Sequence, residues 1–459
     1  MESKSVIAPY ALLPDGWAAN VRIDIDAQGT MTGITPDSPT RNASLLRGPV
    51  IPGMPNVHSH AFQRAFAGRA ERRQTGVDSF WTWRKAMYGL AGRITPDQLE
   101  AIAAQLYVEM LESGYTSVGE FHYLHHDRNG TPFATRSEMA QRILAAADIS
   151  GIGMTLLPVL YRFSDFGRQP PLREQARFIT DCDAFMKIFD ELAPLCAIPG
   201  RRLGVAPHSL RAVAPEDLRE LVDAARARDP AVPIHIHIAE QTAEVDACVN
   251  HTGQRPVEWL LEHAEVTDRW CLVHATHMNG GEIGALAATG AAVAVCPTTE
   301  ANLGDGFFAL EKWHEASGAT AIGSDSHVRV DPAEELRWLE YGQRLRLQRR
   351  TVVPSLTELY AQCARDGGRA LGRPIGAIAV GNAADLVVLD ADAPSLAGPD
   401  VETLVDRFIV TGGRGSIRDV YARGAEVVKD GRHRRAEPVA ARFRQVVGEC
   451  DSMPRDRLL

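Results

Sequence analysis

The 459-residue chain lacks any apolar run of the roughly 18 residues that a membrane-spanning helix needs. The longest candidate, GALAATGAAVAVCP at 284–297, is shorter and contains two glycines and a terminal proline. The opening segment, MESKSVIAPYALLPDGW, lacks the continuous apolar stretch of a signal peptide. These absences exclude a membrane protein of the helical type and favour a cytoplasmic protein with no membrane partner.

Paired cysteines and an excess of basic charge are also missing. The seven cysteines contain no CxxC pair, and an odd number scattered over this length disfavours a secreted disulfide framework and fits reduced thiols. Lys and Arg number 49 against 58 Asp and Glu, which gives a net charge of -9. That balance argues against a nucleic-acid partner, so an anionic ligand would have to be held by local cations.

An ordinary globular composition and a regular alternation of segments are present instead. Hydrophobic residues make up 45% and charged residues 23% of the chain, which excludes disorder. One helix, 95–113, carries a capping box of Thr95 and Gln98, Pro96 at its first position and Gly114 after its end. Helical segments of this kind alternate with eight short apolar runs, which predicts an α/β fold with a (β/α)8 TIM-like barrel. The eight predicted strands lie at 48–60, 116–121, 153–161, 203–209, 233–240, 270–277, 291–297 and 320–326.

The two flanks of this region have a different pattern. Short alternating pieces with hairpin-like turns occupy 1–47 and 375–433, so we expect both chain ends to pair into a small β-sandwich domain outside the barrel. A helix is predicted beyond about residue 437. The expected domain boundaries are 1–49 for the N-terminal part of the sandwich, 50–370 for the barrel, and 371–459 for the C-terminal part with the terminal helix.

Polar residues collect at the ends of the predicted strands, which is where barrels of this class place their chemistry. They are His58, His60, Glu120, His122, His208, His237, Glu240, His274 and Asp325. The spacing of His58 and His60 puts both imidazoles on one side of a strand. With His237 and Asp325 they give three nitrogens and one carboxylate, a set that suits one Zn2+, with Fe2+ as the alternative ion.

Some neighbouring histidines compete for this assignment. His235 shares a face with His237, but we favour His237 because Glu240 follows it at a spacing suited to a proton shuttle and because His235 lies earlier in the strand. His274 ends strand six, where it could contact a metal-bound water without being a ligand. The bunched histidines at 122, 125 and 126 favour a solvated or outer loop cluster over a second metal site.

Several motifs resemble the amidohydrolase superfamily: PGMPNVHSH, HIHIAE, VHATH, GSDS and GAIAVGNAADLVVLD. More narrowly, HSHAFQRAFAG (58–68), SFWTWRKAMY (79–88) and GYTSVGEFHYLHH (114–126) resemble the N-formimino-L-glutamate iminohydrolase family of histidine degradation. Two-metal relatives use a carboxylated lysine at the end of strand four. Here that strand ends in His208, and Lys187 is the only lysine between Lys85 and His237, so we expect one metal per subunit.

The resemblance implies an enzyme that hydrolyses N-formimino-L-glutamate to N-formyl-L-glutamate and ammonia, and it implies a homodimer. It assigns catalytic roles to three residues: Asp325 takes the proton of the attacking water, His274 hydrogen-bonds the developing tetrahedral centre, and Glu240 carries a proton to the departing nitrogen.

The substrate of such an enzyme is a small molecule with two carboxylates, which an acidic protein must hold with local cations. Arg84 and Arg211 are the best-placed guanidiniums, since each can bind a carboxylate through two nitrogens, and both match binding positions of the family. The same resemblance adds Gln63, Tyr123 and His208 to the substrate-binding residues. Which arginine holds which carboxylate stays open.

Two alternatives stay open, one within enzymes and one from a different functional class. A related mononuclear zinc deaminase or chlorohydrolase would act on a heterocycle, but two arginines near the pocket disfavour an uncharged ring. An inactive barrel retained as a binding module would hold almost no metal after purification.

Overall fold

The computed structural model describes residues 2–39, 42–72 and 79–451. Over these residues the strands are β1 Lys4–Leu13, β2 Gly16–Ile25, β3 Met31–Thr35, β4 Ser44–Leu45, β5 Val50–Pro52, β6 Met54–Ser59, β7 Tyr115–His122, β8 Gly153–Leu160, β9 Arg201–Leu203, β10 Ala206–Pro207, β11 Ile234–Ile238, β12 Trp270–His274, β13 Ala292–Val295, β14 Ala319–Ile322, β15 Leu386–Leu389, β16 Ile417–Ala422, β17 Ala425–Lys429 and β18 Arg432–His433. The helices are α1 Phe80–Ala91, α2 Pro96–Glu112, α3 Glu138–Ser150, α4 Cys182–Cys196, α5 Pro215–Arg228, α6 Thr242–Thr252, α7 Pro256–His263, α8 Gly280–Ala288, α9 Pro297–Leu303, α10 Leu310–Glu315, α11 Pro332–Leu347, α12 Leu356–Ala370, α13 Leu404–Arg407 and α14 Ala436–Asp451.

The central region alternates strands with helices and is α/β, as predicted. Its strands form parallel sheets in the order β10-β8-β7-β6, with β9 also on β8, and β11-β12-β13-β14. Isolated parallel bridges join the edges of these sheets: one on one side, between Ser59 and Asp325, and two on the other, from Val205 to Ile234 and from Ser209 to His237. Strands β7 and β8 are buried along their whole length, which explains their apolar sequences, because parallel strands are covered on both faces.

The two chain ends pair with each other in a separate sheet, in the order β18-β17-β16-β15-β5-β1-β2-β3 with β4 on β1. Strand β5 contacts both ends, because it lies between β1 and β15. The interior of this sheet is apolar and includes Val6, Ile23 and Val388. The pairing of the two flanks is therefore confirmed. The end of the predicted C-terminal part, residues 452–459, lies outside the described residues.

The apolar run at 48–60, predicted as one strand, is divided in the structure. Val50–Pro52 belongs to the sheet of the chain ends and Met54–Ser59 to the parallel sheets, with Gly53 between them. A Cβ at Gly53 would lie 2.3 Å from the Thr116 side chain. Strand four is also divided, into β9 and β10, by Gly204, where a Cβ would lie 2.6 Å from Leu157. The close approach of neighbouring chains therefore explains both glycines.

Helix α2 begins and ends where its sequence predicts. The Thr95 hydroxyl accepts a hydrogen bond from the Gln98 amide (3.2 Å), and the Gln98 side chain accepts one from the Thr95 amide (3.1 Å). Gly114, after the helix, has φ +96°. The predicted C-terminal helix is α14, and it packs on α2 of its own chain, where Gln98 donates to Glu449 at 3.1 Å.

All seven cysteines are free thiols, consistent with the expectation from their number. Among the residues that the structure describes, no helix is both long and apolar enough to cross a bilayer.

Candidate active site

The four predicted metal ligands converge from three distant parts of the chain. His58 lies in β6, His60 follows it, His237 lies in β11 and Asp325 follows β14. The Nε2 atom of His58 is 3.1 Å from Nε2 of His60 and 3.0 Å from Nε2 of His237. The Asp325 Oδ1 atom lies 3.5 Å from His58 Nε2 and 3.3 Å from His60 Nε2. All four side chains are buried.

The protonation pattern of these rings fits a bound cation. His60 donates through Nδ1 to the carbonyl of Phe121 (2.9 Å), and His237 donates through Nδ1 to the carbonyl of His208 (3.2 Å). In each neutral ring, Nε2 therefore carries a lone pair, and these lone pairs face the Nε2 atom of His58. Such outer hydrogen bonds orient imidazole ligands in metal sites. Three imidazole nitrogens and one carboxylate fit a divalent ion of the Zn2+ or Fe2+ type.

The charge states agree with this interpretation. Burial lowers the pKa of His58 to about 3 and lowers the pKa values of His60 and His237, so the three imidazoles stay neutral and able to bind a metal. Burial alone would raise the pKa of Asp325, but His58 and the other nearby histidines hold it below its usual range. The carboxylate is therefore ionised.

The backbone around the site adopts uncommon conformations. Non-glycine residues at three strand ends have positive φ angles: Ala239 at +50°, His274 at +70° and Asp325 at +46°. Such conformations cost free energy and concentrate at functional sites, where the surrounding structure maintains them. Two of these residues lie side by side, with His274 Nε2 3.8 Å from Asp325 Oδ2.

Glu240 and His274 lie beside the metal ligands. His274 Nε2 is 3.7 Å from a Glu240 oxygen and 3.8 Å from Asp325 Oδ2, while His274 Nδ1 is 3.2 Å from a Glu300 oxygen. Burial would lower the pKa of His274, but the surrounding carboxylates raise it to about 10. Burial raises the pKa of Glu240 to about 7, which places this carboxyl near the pH at which a proton shuttle works best.

The competing histidines lie elsewhere. His235 Nε2 donates to the carbonyl of Ala370 (2.9 Å) and is not in the ligand cluster, so the preference for His237 agrees with the geometry. His125 and His126 donate to the carbonyls of Val159 (2.8 Å) and Ile179 (2.9 Å). The rings of His122, His125 and His126 are buried, which excludes the solvated form of the predicted cluster and leaves its other form, an outer cluster that is not a second metal site.

A cavity lined by three of the predicted metal ligands, His60, His237 and Asp325, opens at this site. All five residues predicted to bind substrate line it together with Glu240, His274 and Asp325; they are Gln63, Arg84, Tyr123, His208 and Arg211. Its walls include aromatic side chains from α1 and from the ends of the parallel strands. The sequence-predicted residues therefore share one space.

The two arginines of the cavity have aromatic neighbours. The Arg84 guanidinium carbon lies 4.4 Å from the centroid of the Trp81 ring, and that of Arg211 lies 5.8 Å from the same ring. Within the described ranges, neither guanidinium has a carboxylate within 4.0 Å. Arg211 is buried, and its Nε atom has no hydrogen-bond partner among the described residues. Both cations are therefore available to an anionic ligand.

Gln63 and Tyr123 form a polar pair in the same wall. Gln63 donates through Nε2 to the Tyr123 hydroxyl (3.0 Å), and its buried Oε1 atom has no partner within the described part of the chain. A buried polar atom without a partner costs free energy unless a ligand or water satisfies it. The pair is thus suited to a polar group of a bound molecule.

Sequence reasoning assigned no role to several buried residues next to the site. Glu120 accepts hydrogen bonds from the Ser59 hydroxyl (2.6 Å) and the Ala61 amide (2.7 Å), and so fixes the chain between and after the first two ligands. Glu300 contacts His274, and Asp305 lies near Glu240. Glu120 lies near the end of a strand, and this position could have identified it from the sequence. Glu300 and Asp305 lie in and after a helix, and no sequence pattern identifies them.

Two family models match the chain. The amidohydrolase family model covers residues 50–427, and the model of the N-terminal domain of formimidoylglutamate deiminase HutF covers residues 4–44. Among solved structures, an amidohydrolase from Brucella melitensis superposes with a TM-score of 0.91 at 45% identity, over 98% of this chain and 100% of that one. The chain belongs to the amidohydrolase family.

Within that family, the similarity is to one group in particular. Formimidoylglutamate deiminase of Pseudomonas aeruginosa is 48% identical over 97% of this chain and 99% of its own length. More distant relatives include a 5-methylthioadenosine/S-adenosylhomocysteine deaminase of Natronomonas pharaonis, 28% identical over 83% of this chain and 81% of its own. An adenosine deaminase of Xanthomonas campestris with bound zinc shares the fold, with a TM-score of 0.81 at 23% identity over 98% of both chains. The resemblance to the formimidoylglutamate deiminases is confirmed.

Proposed function

We propose that this protein hydrolyses N-formimino-L-glutamate to N-formyl-L-glutamate and ammonia, as a step of histidine degradation. The observation that carries the proposal is one cavity in which Arg84 and Arg211 stand with Glu240 and the predicted metal ligands. That combination suits a substrate with two carboxylates and a hydrolysable C–N bond. The 48% identity to formimidoylglutamate deiminase supports it.

One divalent ion per subunit belongs to this proposal. His58, His60, His237 and Asp325 would hold it, with Zn2+ as the proposed ion and Fe2+ as the alternative. When bound, such an ion supplies a hydroxide nucleophile near neutral pH by lowering the pKa of water.

Two side chains, Asp325 and Glu240, would then move protons, and a third, His274, would donate a hydrogen bond. Asp325 has one oxygen toward His58 and His60 and the other toward His274, so the second oxygen can take the proton of the attacking water. His274 would hydrogen-bond the oxygen that develops on the amidine carbon. Glu240 would protonate the terminal nitrogen, which then leaves as ammonia while the formyl C=O bond forms.

The remaining cavity residues would orient the substrate. Arg84 and Arg211 would bind its two carboxylates through charge-assisted hydrogen bonds. Gln63, Tyr123 and His208 would contribute neutral hydrogen bonds. This arrangement would place the formimino carbon beside the ion. An uncharged heterocyclic substrate, by contrast, would offer no carboxylate to either guanidinium.

The molecular form is part of the same proposal. The bridges at both edges of the parallel sheets support one closed (β/α)8 barrel, and the sheet of the chain ends would be the small β-sandwich of this family. Free thiols support a reducing, cytoplasmic location. A homodimer remains the proposed assembly.

The test is product analysis with purified, zinc-loaded protein. We expect ammonia and N-formyl-L-glutamate to appear in equal amounts from N-formimino-L-glutamate, followed by NMR. Turnover of an aminopurine, cytosine or a triazine in place of this amidine would assign the protein to the heterocycle deaminases instead. Absence of bound metal after purification, with no turnover of either class, would indicate an inactive binding module.

A further inference from the structure

Asp305 is a buried carboxyl group that the proposed mechanism does not use. It lies just after α9, between Gly304, the C-cap of that helix with φ +72°, and Gly306, with φ +123°. The Asp305 amide donates to the Glu300 carbonyl (2.9 Å), and His277 Nε2 donates to the Asp305 carbonyl (2.8 Å). Two left-handed glycines and these hydrogen bonds fix the segment in place.

The Asp305 side chain is incompletely paired. Its Oδ1 atom accepts a hydrogen bond from the Gln241 side chain, but the buried Oδ2 atom has no partner among the described residues. Asp305 is only 5% exposed. Glu240, His274 and Asp305 each offer a side-chain atom within 4.8 Å of the other two. A buried carboxyl group with one unpaired oxygen therefore lies next to the proton shuttle.

Two ionised carboxylates at this separation in a buried site repel each other, and one retained proton removes the repulsion. Burial raises the pKa of Asp305 to about 9, and Glu240 contributes to this rise. Burial likewise raises the pKa of Glu240 to about 7. The charged and titratable groups that face this pair are His274, Arg211, Glu244, Glu300 and Asp325.

We propose that Asp305 is a positioning residue for Glu240: as a carboxylic acid it donates a hydrogen bond to the Glu240 carboxylate. The hydrogen bond holds one oxygen of Glu240 and leaves the other toward the cavity, where the departing nitrogen would form. Asp305 keeps its proton throughout, and only Glu240 exchanges a proton with the substrate. The catalytic part of this inference rests on the proposed function.

Two substitutions test the catalytic part. In Asp305→Asn, the amide can still donate to Glu240 and accept from Gln241, so we expect kcat to stay within about threefold of the parent. In Asp305→Ala both contacts are lost, and kcat should fall about tenfold or more while KM and zinc content stay the same. Equal rates for the Asn and Ala variants, or unchanged kcat in the Ala variant, would overturn the proposal.

A second measurement does not depend on turnover. Infrared difference spectra between the zinc-loaded parent and Asp305→Asn, recorded at about pH 8, should show a protonated carboxyl C=O band that only the parent has. Loss of carboxylate bands alone would show that Asp305 is ionised and would overturn the proposal. So would a second zinc equivalent that disappears in Asp305→Ala. If N-formimino-L-glutamate is not turned over, the proposed function fails while the spectra still decide the state of Asp305.

Discussion

Glu240 is the residue whose replacement separates proton transfer from metal binding. It is buried beside His274 but is not among the four side chains that converge through Nε2 and Oδ1. Glu240→Gln should therefore keep one zinc and an unchanged Tm, while kcat falls by about a hundred- to ten-thousandfold. The exposed Glu315 in α10 provides a control, since Glu315→Gln should retain the parent kcat. A kcat for Glu240→Gln within a few-fold of the parent would contradict the shuttle role.

The two cavity arginines should control substrate affinity. Hydrogen bonds to charged groups contribute about 1.5–3 kcal/mol, so Arg84→Met and Arg211→Met should each raise KM about ten- to a hundredfold. The steady-state rate with N-formimino-L-glutamate measures this effect. Arg168 is the matched control because it is exposed and already paired with Glu216, and Arg168→Met should leave KM unchanged. If neither cavity variant changes KM, the carboxylate-binding role is wrong.

For individual residues, the sequence was most informative about the polar side chains at the ends of strands. Two-residue alternation in β6, the position of His237 near the end of β11 and that of Asp325 after β14 were the signals that grouped these side chains, and the structure brings the four together. Their role as metal ligands stays a prediction. The positions of Glu300 and Asp305 beside the site could not be predicted, because their partners His274 and Gln241 are distant in sequence. The burial of His125 was missed because its partner is the carbonyl of Val159, and backbone partners leave no pattern in the sequence.

At the scale of elements, the division between β5 and β6 depends on Gly53. A Cβ there would lie 2.3 Å from the buried Thr116 side chain, so Gly53→Ala should lower the free energy of unfolding by about 1–3 kcal/mol. Gly284 in α8 is the control, because no neighbouring atom lies within 4 Å of the position that a Cβ would take there. Gly284→Ala should leave stability unchanged or raise it by up to about 1 kcal/mol. Equal effects of the two substitutions in chemical denaturation would contradict this account.

The same junction shows why element boundaries were harder to predict than elements. The run at 48–60 is apolar throughout, so periodicity gives no sign that the chain passes from one sheet to another at Gly53. Helix α2 was predicted closely because its capping residues act locally, through Thr95 and Gln98. Hydrogen bonds between residues that are near in sequence can be predicted from the sequence. A close approach between β6 and β7 depends on the tertiary structure and cannot be predicted in this way.

For the whole molecule, buried neutral histidines should make stability depend on pH. Burial lowers the pKa of His235 to about 4, from a value of 6.5 in an unfolded chain. Between these values the unfolded state binds more protons, so stability falls as pH decreases through this window. His235→Gln can keep the hydrogen bond to the Ala370 carbonyl and should reduce the pH slope of the unfolding free energy by close to one proton. Denaturation of zinc-loaded protein at about pH 7 and about pH 5 measures it; an unchanged slope would contradict the burial argument.

Metal removal should also destabilise the whole molecule. An ion that binds only the folded state stabilises it by about 3 kcal/mol when its free concentration is a hundred times Kd. Chelation should therefore lower Tm and abolish activity, and added Zn2+ should restore both. In Asp325→Asn, the difference in Tm between the zinc-loaded and the chelated protein should be smaller than in the parent. A Tm that does not change on chelation would contradict the proposal that an ion is bound by His58, His60, His237 and Asp325.

The position of the ion is the most direct test of the account. Anomalous diffraction from crystals of the zinc-loaded protein, recorded on both sides of the zinc edge, locates the metal without reference to activity. We expect one peak per subunit, about 2.0–2.2 Å from Nε2 of His58, His60 and His237 and from an oxygen of Asp325. A peak at any other group of residues, or no peak at these four, would contradict the central claim.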